Sequence, residues 1–230
     1  MGRAGSKCGP VAGRLTNHYF LLRHGHSLAN LQRLISSEPA LAVKEHGLSH
    51  KGVQQAAHAA DAFAALLAGR PRCRVALFSS DFLRARETAG IVLDRLMTEP
   101  RLKVLGERVH TNTSLRERSF GDLDGQHDSN YNRVWEADQI DAAHTQYGVE
   151  SIESVLARGA AAVCDAEAQL SAEEASADRE ADAAPWHVVL VAHGDVLQIL
   201  QTWFMGVDPR THRSLPHLET ASFRQVHQAA

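Results

Sequence analysis

The sequence predicts an α/β fold, a three-layer α/β/α sandwich with a mostly parallel central sheet and helices on both faces. Two observations carry this expectation. Short apolar runs of strand length alternate at least three times with longer stretches of helical periodicity, the pattern of parallel strands joined by crossover helices. The chain has 230 residues, 44% of them hydrophobic and 22% charged, which suits one domain with a sizeable core.

The elements follow in order. Residues 1–18 contain Gly2, Gly5, Gly9, Pro10 and Gly13, show neither period, and read as a flexible arm preceding one domain over 19–230. Residues 19–23 (YFLLR) form a short apolar run ending at a glycine, the first strand. Ser49 is placed to cap a helix whose apolar positions, Val53, Ala56, Ala57, Ala60, Phe63, Ala64 and Leu67, recur at helical spacing up to Gly69 and Pro71. A second strand spans 74–79, and Ser80 or Asp81 can cap a helix running to Pro100. A third strand is expected over 103–110 and a helix over 151–171. The acidic stretch 172–184 reads as a helix end with a solvated loop. Residues 187–192 (HVVLVA) are the most apolar strand, and a helix over 196–205 ends at Gly206 and Pro209.

Charge and cysteine content narrow the function classes. Twenty-four basic and 27 acidic residues give a net charge of −3, too balanced a chain for a nucleic-acid-binding field. Cys8, Cys73 and Cys164 are widely spaced, which argues against a disulfide framework or zinc site and for a reducing, cytoplasmic location. No apolar run has transmembrane length. The opening Met1-Gly2-Arg3-Ala4-Gly5-Ser6 fits an N-myristoylation pattern. Acylation of Gly2, with Cys8 as a palmitoylation site, would anchor the arm peripherally to membranes.

The chemistry gathers at strand ends. The first strand ends in Arg23-His24-Gly25-His26 and the last in Ala192-His193-Gly194-Asp195, so two imidazoles should meet at the carboxyl edge of the sheet, where parallel α/β folds hold their ligands. Arg23 beside them is permanently charged and forked toward oxyanions. Arg84 and Arg86 stand at the start of the next helix, where a cation opposes the dipole. Such an arginine is expected to hold a ligand or to pair with Asp81 or Glu87, and Arg84 is read as the paired one.

With L-L-R-H-G-H-S-L-A-N, the S-x-x-x-R-A-x-x-T-A element that ends at Ala89, L-R-E-R-S-F-G at 115–121, G-V-E-S at 148–151 and V-A-H-G-D, the chain resembles the histidine phosphatase superfamily, phosphoglycerate mutase-like branch, over 19–205. The resemblance implies His24 as phosphate acceptor, Glu117 as proton donor and His193 as second pocket histidine. It further implies Arg23, Arg86, Asn30 and the backbone of Gly194 as phosphate contacts. His26 stands where many relatives carry Glu or Gln, a change expected at the pocket rim.

The chemistry suits those residue types. An attacking imidazole must be unprotonated, and adjacent arginines both depress its pKa and stabilise the phosphoryl oxygens. A carboxyl with raised pKa can protonate the leaving alkoxide and then activate water. A metal held by His24, His26 and His193 would be repelled by the arginines, so no metal or other cofactor is expected. The segment 122–150 covers the site and contains Asp122, Asp124, Asp128, Glu136, Asp138 and Asp141 against Arg133 alone. That is a poor clamp for a bisphosphorylated intermediate, and R-S-F-G-D-L-D-G looks like the phosphatase side of the family. A phosphatase acting on a small phosphate monoester or a phosphoprotein is therefore expected. A cofactor-dependent phosphoglycerate mutase is the alternative, and a non-catalytic phospho-ligand module comes third. Tyr131, Trp135 and Tyr147 either rim the pocket or pack the cover onto the body.

Overall fold

The computed structural model describes residues 14–70, 73–176 and 184–229. The described elements are β1 (His18–Arg23), α1 (Leu28–Gln32), α2 (Pro39–Ala42), α3 (His50–Ala68), β2 (Cys73–Ser79), α4 (Leu83–Met97), β3 (Leu102–Val104) and β4 (His110–Thr111). After them come α5 (Tyr131–Asp138), α6 (Ile152–Ser176), β5 (Trp186–Ala192), α7 (Gly194–Met205) and β6 (Phe223–Val226). The sheet runs β3-β2-β5-β1-β6, with β4 also on β2. All pairs are parallel except β1 with β6.

Alternation along the strands builds the three layers. Tyr19, Leu21, Ala76, Phe78, Val188 and Leu190 share one buried cluster with Ala162, Val163 and Ala166 of α6 and Leu197, Leu200 and Phe204 of α7. Phe20, Leu22, Val75, Leu77, Val189 and Val191 face the other way, onto Ala60, Phe63, Ala64 and Leu67 of α3 and Ala85, Ala89, Val92 and Leu96 of α4. Because successive side chains point to opposite faces, a strand apolar on both faces must be covered on both. Trp186–Ala192 is buried along its whole length, as the sheet's middle strand should be.

Several expectations change. The strand expected over 103–110 is two short strands, because Gly106 takes φ +68° between them. Neither Ser80 nor Asp81 caps α4. Its N-cap is Phe82, without a side-chain bond, while Asp81 takes a bidentate ion pair with Arg116 at 2.8 and 2.6 Å. The arm boundary also moves. His18 opens β1, Thr16 and Asn17 bond Glu167, and the Leu15 amide donates to Gln228. Gly2 and Cys8, and most of the acidic stretch beyond Ser176, lie outside the described residues. Among the described residues no helix is long and apolar enough to cross a membrane.

Candidate active site

The register of the sheet brings the two histidines together. Arg23 pairs with Ala192, the His24 amide donates to the Ala192 carbonyl at 3.0 Å, and the rings of His24 and His193 lie 5.1 Å apart. The His24 turn is pinned by close packing. A Cβ on Gly25 would stand 2.6 Å from the Gly52 carbonyl at the start of α3, and the Gly25 amide donates to Thr88 of α4 at 3.0 Å.

The hydrogen bonds of His24 fix its tautomer. Nδ1 lies 2.7 Å from the Gly25 carbonyl, which can only accept, so Nδ1 carries the proton and Nε2 keeps its lone pair. Toward that lone pair Arg84 aims Nε–H at 3.1 Å. Burial first, then the Arg84 and Arg23 charges, holds the His24 pKa well below its ordinary value. His193 is lowered in the same way, by burial and then Arg84. Its Nε2 contacts the Ser80 hydroxyl at 2.9 Å, while Nδ1 is buried without a protein partner.

The arginine expected in the pocket was Arg86, and the structure corrects this to Arg84. Arg84 is 4% exposed, bonds His24, and gives Nη2 to the Ser36 carbonyl at 2.9 Å. Arg86 is exposed and bonds the Val43 carbonyl on the surface. Helical phase is the reason. Arg84 shares one stripe with Thr88 and Val92, all buried, whereas Arg86 lies two residues round the helix on the solvent side. Neither Asp81 nor Glu87 pairs with Arg84: Asp81 holds Arg116, and Glu87 accepts from the Leu48 amide. His26 is displaced too. Its Nδ1 bonds Ser49 at 2.9 Å, and it is absent from the lining of the pocket, so it neither shapes the rim nor converges with His24 and His193.

A cavity of about 450 Å³ opens over this edge, lined by Arg23, His24, Asn30, Arg84, Glu117 and Gly194 at its inner end. Asn30 caps α1 reciprocally with Ser27, its Oδ1 accepting from the Ser27 amide, so the amide group left to face the cavity is Nδ2. Gly194 opens α7, whose N-cap His193 makes no side-chain cap, so the amides and dipole of this helix favour an anion there. Arg23 keeps a buried Nε with no protein partner. The Glu117 carboxyl is raised to about 7 by burial, with the charge of Asp195 adding to it and Arg84 and Arg23 opposing. Neither flanking arginine pairs with it, since Arg116 goes to Asp81 and Arg118 to Asp138 and Asp195.

The cover is stitched down. Ser37 bonds Asp124, the Phe120 amide donates to the Ser37 hydroxyl, and Arg33 pairs with Asp128 at 3.0 Å. Tyr131 stacks on Trp135 at 5.4 Å, and Arg213 lies 3.7 Å over Trp135, so these aromatics pack the cover as well as lining the cavity. Beneath them, fully buried Arg118 binds both oxygens of Asp138 at 2.7 and 2.8 Å and reaches Asp195 at 3.2 Å. Asp138, Asp195 and His212 cluster closely enough to suggest a cation site, but the guanidinium of Arg118 already supplies the positive charge.

The chain matches the histidine phosphatase superfamily (branch 1) over residues 19–229 and belongs to that family. It is 28% identical to the 2,3-bisphosphoglycerate-dependent phosphoglycerate mutase of Methylocella silvestris over 207 residues, 88% of this chain and 86% of that protein. The enzyme of the same name from Xanthobacter autotrophicus is 32% identical over 143 residues, 60% of this chain and 62% of that protein's length. Among solved structures, a mycobacterial glucosyl-3-phosphoglycerate phosphatase complexed with VO3 is similar at TM-score 0.67 and 26% identity, covering 91% of this chain and 90% of that one. A protein titled mycobacterial hydrolase 1 gives TM-score 0.68 and 25% identity, with 91% and 88% covered.

Proposed function

We propose that this protein is a metal-independent phosphatase that hydrolyses a small, polar phosphate monoester through a covalent phosphohistidine on His24. The observation that carries the reading is the locked His24 tautomer, its Nε2 lone pair facing Arg84 in a cavity that also holds a carboxyl titrating near 7. In the first step Nε2 forms a bond to phosphorus as the bond to the ester oxygen breaks, and Glu117 gives its proton to the departing alkoxide. In the second, Glu117 as carboxylate takes a proton from water, the resulting oxygen bonds phosphorus, and the P–N bond breaks to return the lone pair to Nε2. Arg23, Arg84 and the α7 amides neutralise the transferring group, and His193 contributes Nδ1 from the buried side.

The neighbouring phosphatase fold supports hydrolysis, and the two mutase relatives support the alternative of phosphoryl re-donation. The leaving-group end of the cavity favours hydrolysis. It presents Asp128 and Asp195 with Arg33 and Arg213, and Arg33 is already paired, so few cations remain for a second phosphate. Release of p-nitrophenol from its phosphate in EDTA, lost in His24→Ala, is the expected result. Primer-dependent isomerisation of 3-phosphoglycerate with little hydrolysis would instead establish the mutase, and turnover surviving His24→Ala would end the covalent mechanism.

A further inference from the structure

We propose that His217, at the mouth of the cavity, is a positioning residue that must be neutral to aim Arg23 at the phosphoryl group, so that protonating it loosens phosphate binding. This inference rests on the phosphate-binding role given to Arg23 above.

The hydrogen-bond network leaves one consistent arrangement. The Gln198 side chain donates Nε2–H to the Leu215 carbonyl at 2.7 Å, which fixes its amide orientation and makes Oε1 an acceptor. His217 Nδ1 lies 2.7 Å from that Oε1, so Nδ1 must carry a proton. His217 Nε2 lies 2.7 Å from Arg23 Nη1, which can only donate, so Nε2 must carry the lone pair. The second Nη1 proton goes to the Leu218 carbonyl at 2.9 Å. Both protons of Nη1 are thereby held on the outer side, and the remaining edge of the fork, including the buried and unpartnered Nε, is left for an oxyanion. The Gly194 position lies against this guanidinium, where a Cβ would stand 3.4 Å from Cζ, so the fork also meets the N-terminus of α7.

Protonation places an N–H on His217 Nε2 directly against the N–H of Arg23, and one of the two must leave. The charged groups around His217 are Arg23 from β1, Arg213 from the turn after α7, Asp195 of α7 and Glu219 beside it, while Arg224 of β6 bonds its backbone carbonyl. Partial burial and then the two arginines hold its pKa below the ordinary histidine value, against Glu219 and Asp195. The imidazole therefore stays neutral, and the fork aligned, to lower pH than a free histidine would allow, and alignment is lost as pH falls through that depressed value.

The test uses the full chain and inorganic phosphate. Two-bond proton–nitrogen correlations at pH 7, with the His217 signal assigned by its loss in His217→Gln, should show the Nδ1–H tautomer; an Nε2–H tautomer overturns the inference. His217→Leu should weaken phosphate binding measured by calorimetry roughly tenfold, the scale of one partly exposed charge-assisted bond. His217→Gln, which offers a non-titrating acceptor, should recover most of this, and its affinity relative to wild type should improve as pH falls. Taking the ratio cancels the ionisation of phosphate itself. Equal phosphate affinity in all three proteins across pH would overturn the inference even if His24→Ala abolishes turnover. Hydrolysis independent of His24, with the phosphate series as expected, would remove the proposed mechanism and leave this one standing.

Discussion

Two polar clusters lie side by side at the carboxyl edge of the sheet, and their arginines are satisfied in opposite ways. Under the cover, Arg118 spends three contacts on the carboxylates of Asp138 and Asp195 and gives Nε to the Glu150 carbonyl, with Asp138 also bonding His144 at 2.6 Å. In the pocket, Arg84 gives its donors to an imidazole, a hydroxyl and a carbonyl, and Arg23 to an imidazole and a carbonyl. Neither has a carboxylate partner within ion-pair distance among the described residues. A buried cation neutralised by carboxylates is a structural tie. One held only by neutral acceptors keeps its charge for an incoming anion, and desolvation makes that charge count for more.

Breaking the tie should cost the most. Arg118→Met leaves Asp138 and Asp195 buried without their shared cation, an uncompensated arrangement expected to cost roughly 3–5 kcal/mol in urea unfolding. A loss under about 1 kcal/mol would mean that the tie does not hold the cover. Removing the pocket cation should spare stability and strike turnover. Arg84→Ala should lower kcat/KM by about 10²–10³-fold, as for deletion of a preorganised donor to transition-state charge. Arg86→Ala, its control two residues away, should stay within about twofold because among the described residues it makes a surface bond to the Val43 carbonyl and does not reach the pocket. Equal losses in the two variants would contradict the assignment of Arg84 to the pocket.

The same pair shows what was legible in the sequence. The alternation of runs and the paired R-H-G and H-G-D turns placed the layers and both histidines correctly, because strand alternation and chain direction are local properties. The choice between Arg84 and Arg86 was also local, and the signal was present. Thr88, Val92 and Leu96 mark the inner stripe of α4, and counting back by fours from Thr88 reaches Arg84. Dipole reasoning does not separate the two arginines, and reading Arg84 as the surface-paired one and Arg86 as the pocket residue passed over both this stripe and the R-A-x-x-T-A element, whose arginine is Arg84. β6 was not visible because a four-residue edge strand, only half-buried, has too little apolar content to stand out. His217 and the Arg118 tie carry no sequence signal, since Gln198, Asp138 and Asp195 meet them only through the tertiary fold.

The smaller of the expected catalytic effects, and the one that most sharpens the comparison, concerns Glu117, which borders both clusters. Burial and Asp195 raise its carboxyl to about 7, while Arg84 and Arg23 pull the other way. As the acid that protonates the leaving alkoxide it must carry a proton in the free enzyme, so kcat/KM should fall as pH rises through about 7. Glu117→Gln should lower kcat by about 10²-fold and abolish that alkaline limb. Stability gives an independent check of sign. With the folded value raised, the neutral carboxyl's contribution is fully present below the unfolded pKa of an ordinary glutamate and is lost as pH rises through about 7. The thermal midpoint of Glu117→Gln relative to wild type should therefore be higher at pH 8 than at pH 4. The neutral amide escapes the cost of holding a carboxylate next to Asp195, a cost that Arg84 and Arg23 only partly offset. An unchanged difference across that range would place the Glu117 carboxyl at its ordinary value, and the general acid would have to be sought elsewhere along the cavity wall.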